Sequence, residues 1–149
     1  MRAVLQRVSE ASVDVEGGRI AEMGPGLLVL VGIGKRDTPR DAGDLVRKIV
    51  GLRIFEDDSG KMNHSLLDVG GTLGLVPQFT LWGDIRKGRR PSFDEAAETE
   101  DAAILFEKVI SEAKLLGVSV VTGQFQATME VGLVNQGPVT ILLDTERRF

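Results

Sequence analysis

The run Leu27-Leu28-Val29-Leu30-Val31 limits this chain's fold more than any other stretch. Successive side chains on a strand point to opposite faces, so five apolar residues in a row demand cover on both. Such a strand sits in the middle of a sheet with a layer packed on each side. The sequence supplies helices for one of those layers. Thr38-Pro39 opens the first, with Thr38 as the cap and proline at the first helical position, where its missing amide is no loss. Ala42, Leu45, Val46, Ile49 and Val50 then share one face. Thr99 caps a second helix, whose buried stripe is Ala102, Leu105, Phe106, Val109, Ala113 and Leu116, and Gly117 ends it.

The remaining apolar segments read as strands: residues 2–8, 12–15, 19–23, 53–55, 72–76, 118–121, 127–134 and 139–143. Glu16-Gly17-Gly18 and Asp57-Asp58-Ser59-Gly60 are turns between neighbours. A chain of 149 residues can bury one proper core. No linker or repeat interrupts it. The expectation is one α/β domain over residues 1–149, with two helices packed on a sheet.

Composition narrows the chemistry. There is no cysteine and one histidine, His64. Thiol catalysis and disulfides are excluded, and a reducing, cytosolic setting is expected. A Ser-His-Asp triad would have to use His64, which follows a turn, and no G-x-S-x-G elbow is present. Carboxylates alone remain for metal binding. Residues 57–68 fail the calcium-loop pattern, with Lys61 and Met62 where an acidic ligand and glycine belong. The glycines at 32, 34, 70, 71 and 74 form no phosphate or dinucleotide loop. No metal or cofactor is therefore expected. The chain opens directly on a strand pattern, without a signal peptide, and no apolar run nears the roughly 20 residues that span a bilayer.

The net charge of −4 argues against bulk nucleic-acid coating. Residues 86–90, Arg-Lys-Gly-Arg-Arg, are a local exception in a long loop. They read equally as a phosphate contact or a solvated surface. An enzyme with this inventory must work through backbone groups, a hydroxyl, or its substrate.

Two motifs remain. Asn135-Gln136-Gly137-Pro138-Val139-Thr140 interrupts an apolar segment and reads by itself as strand, turn, strand, with an X-Pro bond where a cis peptide is most common. Pro77-Gln78-Phe79-Thr80-Leu81 follows strand 72–76. Together they resemble the paired signatures of the D-aminoacyl-tRNA deacylases, written SQFTL and NxGPVT. The similarity spans the chain. It includes residues 1–8, Leu52-Arg53-Ile54-Phe55, Leu67-Asp68-Val69-Gly70-Gly71, residues 86–93, and Phe125, Ala127 and Met129.

The resemblance implies a cytoplasmic homodimer in a three-layer α/β/β fold, with a mostly antiparallel sheet in the order β(2)-(αβ)2-β(3). It implies hydrolysis of the ester joining a D-amino acid, or glycine on the alanine tRNA, to the 3′-terminal adenosine of tRNA. The acceptor stem is then a partner, and no membrane is involved. Gly137-Pro138 of one subunit would enter the other's pocket as a cis-proline filter that rejects L-aminoacyl groups. Gln78, Phe79 and Thr80 match the catalytic positions, with Pro77, Phe125, Ala127, Met129 and Asn135 around the substrate. Arg7 would hold the Gly-Pro backbone. Backbone amides would hold the carbonyl oxygen, and the ribose 2′-OH would help activate water. Pro77 departs from the family's usual serine, and a related branch with a relaxed chiral filter carries proline there. The alternative is an impaired or chirally relaxed paralogue that only binds tRNA.

Overall fold

The computed structural model describes residues 1–148. Its elements are β1 (Arg2–Val15), β2 (Gly18–Met23), β3 (Gly26–Gly32), α1 (Pro39–Gly51), β4 (Phe55–Glu56), β5 (Met62–His64), α2 (Leu66–Val69), β6 (Thr72–Pro77), α3 (Thr99–Leu115), β7 (Ser119–Thr122) and β8 (Met129–Asp144). One sheet carries the order β2-β1-β3-β6-β7, with β8 added alongside β1. The pairings of β1 with β2, β3 and β8 are antiparallel, while β3-β6 and β6-β7 are parallel. The short β4 and β5 pair separately.

The apolar run of β3 behaves as its sequence requires. Leu27, Val29 and Val31 join Leu73 and Leu75 of β6 in a core shared with Leu45, Ile49, Phe106 and Val109 of the helices. Leu28 and Leu30 face the other way, into a second cluster with Val8, Ala11, Val13 and Met23. Two cores on opposite faces of one strand give three layers, α over β over β. Gly74 belongs to this second interface, where an added Cβ would lie 2.7 Å from the Met23 sulfur. Truncating a fully buried leucine such as Leu75 to alanine should cost roughly 2–5 kcal/mol.

Strand β1 crosses between the two sheet layers. Ala3 and Leu5 lie in the first cluster, Val8, Ala11 and Val13 in the second. The change of face falls at Arg7 and Val8, which are both buried. Broken alternation there marks a bulge and not a strand end, so the two expected strands, 2–8 and 12–15, are one.

The same correction applies to β8. It runs continuously along β1, with Gln6 opposite Thr140 and Val8 opposite Asn135. The extra β8 residues between those pairs arch out of the ladder. The segment 135–140 is therefore a bulge within a strand, and the chain does not reverse there.

The helices differ from the sequence reading at their margins. The buried face of α1 contains all five expected residues. In α3, Glu98 is the N-cap, Ile110 joins the buried stripe, Ala102 is only half-buried, and Leu116 is the exposed C-cap residue. A one-turn helix, α2, adds to the two expected. Ser65 and Asp68 close it through reciprocal bonds, with Asp68 accepting from the Ser65 amide at 2.8 Å.

Candidate active site

Strand β6 ends at Pro77, still paired with Val31 of β3. The amide of Gln78 still donates to Val31 O at 2.8 Å. Phe79–Trp82 then forms a 3-10 turn. The buried Trp82 ring anchors this turn against the backbone of Gly34, where an added Cβ would collide with the indole. Arg2 braces it from the other side, with its guanidinium 4.1 Å from the Trp82 ring centroid and NH1 donating to Leu81 O at 2.9 Å.

A cleft of about 590 Å³ opens beside this turn, large enough for a small organic group. Pro77, Gln78 and Phe79 form one wall, and Phe125, Ala127 and Met129 another. Loop 123–128 and Met129 at the start of β8 carry the second wall, and Phe125 packs on Phe106 of α3 with ring centroids 6.2 Å apart. Phe79 is 60% exposed, an unusually open position for a large apolar ring. Thr80 lies just outside the lining, hydrogen-bonded to Gln78 Nε2. None of the described residues lining the cleft is ionisable, and His64 sits elsewhere, paired with Phe55.

Pro77 suits its position. Its partner strand on the far side, β7, pairs no further than Leu75↔Thr122. Proline therefore stands beyond the last pair of the β6–β7 ladder, where its missing amide interrupts no pairing.

Arg7, Asn135, Gly137 and Pro138 form a second group, none of it lining the cleft. The Gly137-Pro138 peptide is cis, and both residues are exposed. Arg7 is 5% exposed. It donates from Nε to Gln136 O at 2.9 Å and from NH1 to Ile54 O at 2.7 Å, with Glu56 3.6 Å from NH2. Asn135 spans the arch, its Nδ2 donating to Val139 O and Thr140 Oγ1 at 3.1 Å and its Oδ1 accepting from Val139 N at 2.7 Å. Gly137 has φ of +138°, and an added Cβ would lie 2.8 Å from Val139 Cγ2. The arch is held from within and presents its tip to solvent.

Sequence reasoning missed the brace from Arg2 and the contribution of Ala96 and Ala97 to the cleft. These alanines lie in the same long loop as residues 86–90, ahead of α3. The Gly34↔Ala96 bridge pins that loop to the cleft, a contact with no local sequence signal.

Fold and cleft define a three-layer α/β/β domain whose cleft is lined, among the described residues, without an ionisable side chain. Residues 4–144 match the family model of D-Tyr-tRNA(Tyr) deacylase. The D-aminoacyl-tRNA deacylase of Desulfitobacterium hafniense is 54% identical over 149 residues, covering 100% of both chains. That of Roseiflexus castenholzii is 57% identical over 145 residues, 97% of this chain and 92% of its own. A solved c-Myc DNA unwinding element binding protein superposes with a TM-score of 0.91 at 40% identity, over 97% of this chain and 98% of that one. A probable eukaryotic D-amino acid tRNA deacylase shares the fold, with a TM-score of 0.82 at 19% identity, over 95% and 97%. The chain belongs to the D-Tyr-tRNA(Tyr) deacylase family.

Proposed function

We propose that this chain hydrolyses the ester of D-aminoacyl-tRNAs, and of glycine mischarged on the alanine tRNA, while sparing L-aminoacyl-tRNAs. One observation carries the site assignment. The family-matching residues fall into two groups within one chain, a cleft and an exposed arch that contributes nothing to that cleft. A site needing both groups is completed by a second copy, with Gly137-Pro138 of one protomer entering the cleft of its partner.

The chemistry follows from what the cleft lacks. With no ionisable side chain lining it, catalysis rests on oriented dipoles and on the substrate. The amides of Gln78 and Leu81 are engaged with Val31 O and Gln78 O. Those of Phe79 and Thr80 open the 3-10 turn, where amides have no intrahelical acceptor. They are suited to hold the ester carbonyl oxygen as negative charge develops on it. Gln78 and Thr80 orient the substrate or water, and the ribose 2′-OH assists the attack. Phe125, Ala127 and Met129 enclose the adenosine end and the aminoacyl group.

Exclusion accounts for chirality. Backbone atoms of Gly137-Pro138 close to the α-carbon bar any group on one side of it, whatever side chain lies on the other. Glycine carries no such group and passes. The cytoplasm, where tRNA is charged, is the expected compartment, and among the described residues no helix is long and apolar enough to cross a membrane.

Nothing in the fold or the relatives favours a tRNA-binding paralogue without activity. The deciding experiment is release of D-tyrosine and L-tyrosine from their tRNA esters by the purified protein. Rapid release of the D form alone supports the proposal; equal release of both, or of neither, refutes it.

A further inference from the structure

The loop preceding α3 carries Arg86, Lys87, Arg89 and Arg90 in a chain of net charge −4. These four cations are not equivalent. Arg86 Nε donates to the two carboxylate oxygens of Asp84 at 2.9 and 3.1 Å, and NH2 donates at 2.6 Å. The Arg86 amide adds a bond to Asp84 Oδ1 at 3.0 Å. These bonds, the side-chain one first, hold the Asp84 carboxyl well below the usual carboxylate range, with a smaller push from the nearby Lys87 charge. Asp84 and Arg86 are thus a neutral pair at the base of the loop. Lys87, Arg89 and Arg90 are exposed, and none forms a salt bridge among the described residues.

The loop is also tied to the cleft. Asp84 N donates to Ser92 O at 2.7 Å and Ser92 N to Asp84 O at 3.0 Å, closing its neck. Just beyond the neck, Phe93 meets Phe79 edge-on, with centroids 5.0 Å apart and ring planes at 67°. Phe79 lines the cleft. The unpaired cations therefore stand on a closed stem braced against the cleft's rim.

We propose that Lys87, Arg89 and Arg90 form a phosphate-binding subsite for the acceptor end of the tRNA, and that Arg86 takes no part because its charge is committed to Asp84. This assignment rests on the proposed substrate and adds a division of labour within one basic cluster. It predicts how binding responds to salt, since each phosphate contact releases counterions and contributes about 0.7 to 0.9 to the slope of log K against log salt.

The test compares wild type, the triple variant Lys87→Gln/Arg89→Gln/Arg90→Gln, and the paired variant Asp84→Asn/Arg86→Gln. Binding of uncharged tRNA is measured across a salt series by fluorescence anisotropy. The triple variant should lose about 2 to 3 from the slope, and the paired variant should keep the wild-type slope. Hydrolysis of D-tyrosyl-adenosine, which carries no phosphate, should be unchanged in the triple variant. A wild-type slope in the triple variant, an equal loss in the paired variant, or loss of D-tyrosyl-adenosine hydrolysis each overturns the proposal. If wild type hydrolyses no D-aminoacyl ester, the enzymatic reading fails, and the tRNA-binding slopes alone decide the loop's role.

Discussion

The Asn135 carboxamide engages the Val139 backbone at both ends. Its Oδ1 accepts from Val139 N at 2.7 Å, and its Nδ2 donates to Val139 O at 3.1 Å. A side chain here satisfies a backbone amide and carbonyl at the foot of the arch, where β8 has left the ladder. Only a group with a donor and an acceptor in one plane can do this.

Asn135→Asp keeps the acceptor but sets a carboxylate against Val139 O and Thr140 Oγ1. Asn135→Ala removes all three bonds. At about 1 kcal/mol per net hydrogen bond, the alanine variant should lose about 2–3 kcal/mol in urea unfolding. Its selectivity for D- over L-tyrosyl-tRNA should fall with it. A variant that loses stability but keeps full selectivity would mean that the arch does not set chirality.

Arg7 holds the other side of the arch, and the prediction for it is sharper. Its guanidinium reaches Gln136 O and Ile54 O at once, which a lysine amine at the end of a single stem does not reproduce. Each carbonyl left without its donor costs about 1–3 kcal/mol. Arg7→Lys should therefore destabilise the protein nearly as much as Arg7→Met. Because Arg7 and Asn135 support one arch, the double variant should lose less than the sum of the singles. Full additivity would show two independent anchors.

Much of the fold was legible because it depends on periodicity. The apolar run 27–31 demanded two covered faces and received them, and α1 buries its five expected residues. The joins were harder to read. Adjacent burial of Arg7 and Val8 looks in sequence like a strand ending, because a bulge and a terminus break alternation alike. Gly137-Pro138 looked like a turn for the same reason, since glycine and proline serve bulges as well as reversals. The cleft's motif residues could be named from the resemblance. Arg2 and Ala96 could not, because their contacts span the chain and leave no local pattern.

Pro77 stands where the SQFTL signature that this stretch resembles has serine, so it separates two accounts of catalysis. If backbone amides and the substrate's hydroxyl do the work, a serine hydroxyl at 77 adds little. The proline also lies beyond the last β6–β7 pair. Pro77→Ser should therefore leave kcat/KM for D-tyrosyl-tRNA within about threefold of wild type, under 1 kcal/mol in barrier. A gain beyond tenfold would show that the hydroxyl takes part and that proline impairs this site.

Acid should reach the short helix α2 late. The Ser65 amide, then the Ser65 hydroxyl, hold the Asp68 carboxyl below its ordinary value of 3.8. A carboxyl with a depressed folded value contributes stability above its unfolded value and loses it as pH falls through the folded one. The contribution of Asp68 should therefore be intact at neutral pH and disappear only below about pH 4. NMR titration of the Asp68 side-chain carbon should give a midpoint below 3.8, and Ser65→Ala should raise it. A midpoint at or above the ordinary value would remove the cap from the account of this helix.

Gly137 offers the most direct test of the arch, because its backbone and its surroundings both exclude a side chain. Its φ of +138° is rarely adopted by other residues, and an alanine Cβ would lie 2.8 Å from Val139 Cγ2 and 3.1 Å from Arg7 NH2. Strain of this kind costs about 1–3 kcal/mol, and the exposed tip can relieve it by moving. Gly137→Ala should therefore fold, with a modestly lowered melting temperature, while the arch shifts and loosens its hold on Arg7. If the tip enters a partner's cleft, kcat/KM for D-tyrosyl-tRNA should fall by tenfold or more, since about 1.4 kcal/mol is one decade. Sedimentation should show a weaker dimer as well. A variant with unchanged activity and assembly would place Gly137-Pro138 outside the active site and return the cleft to a single chain.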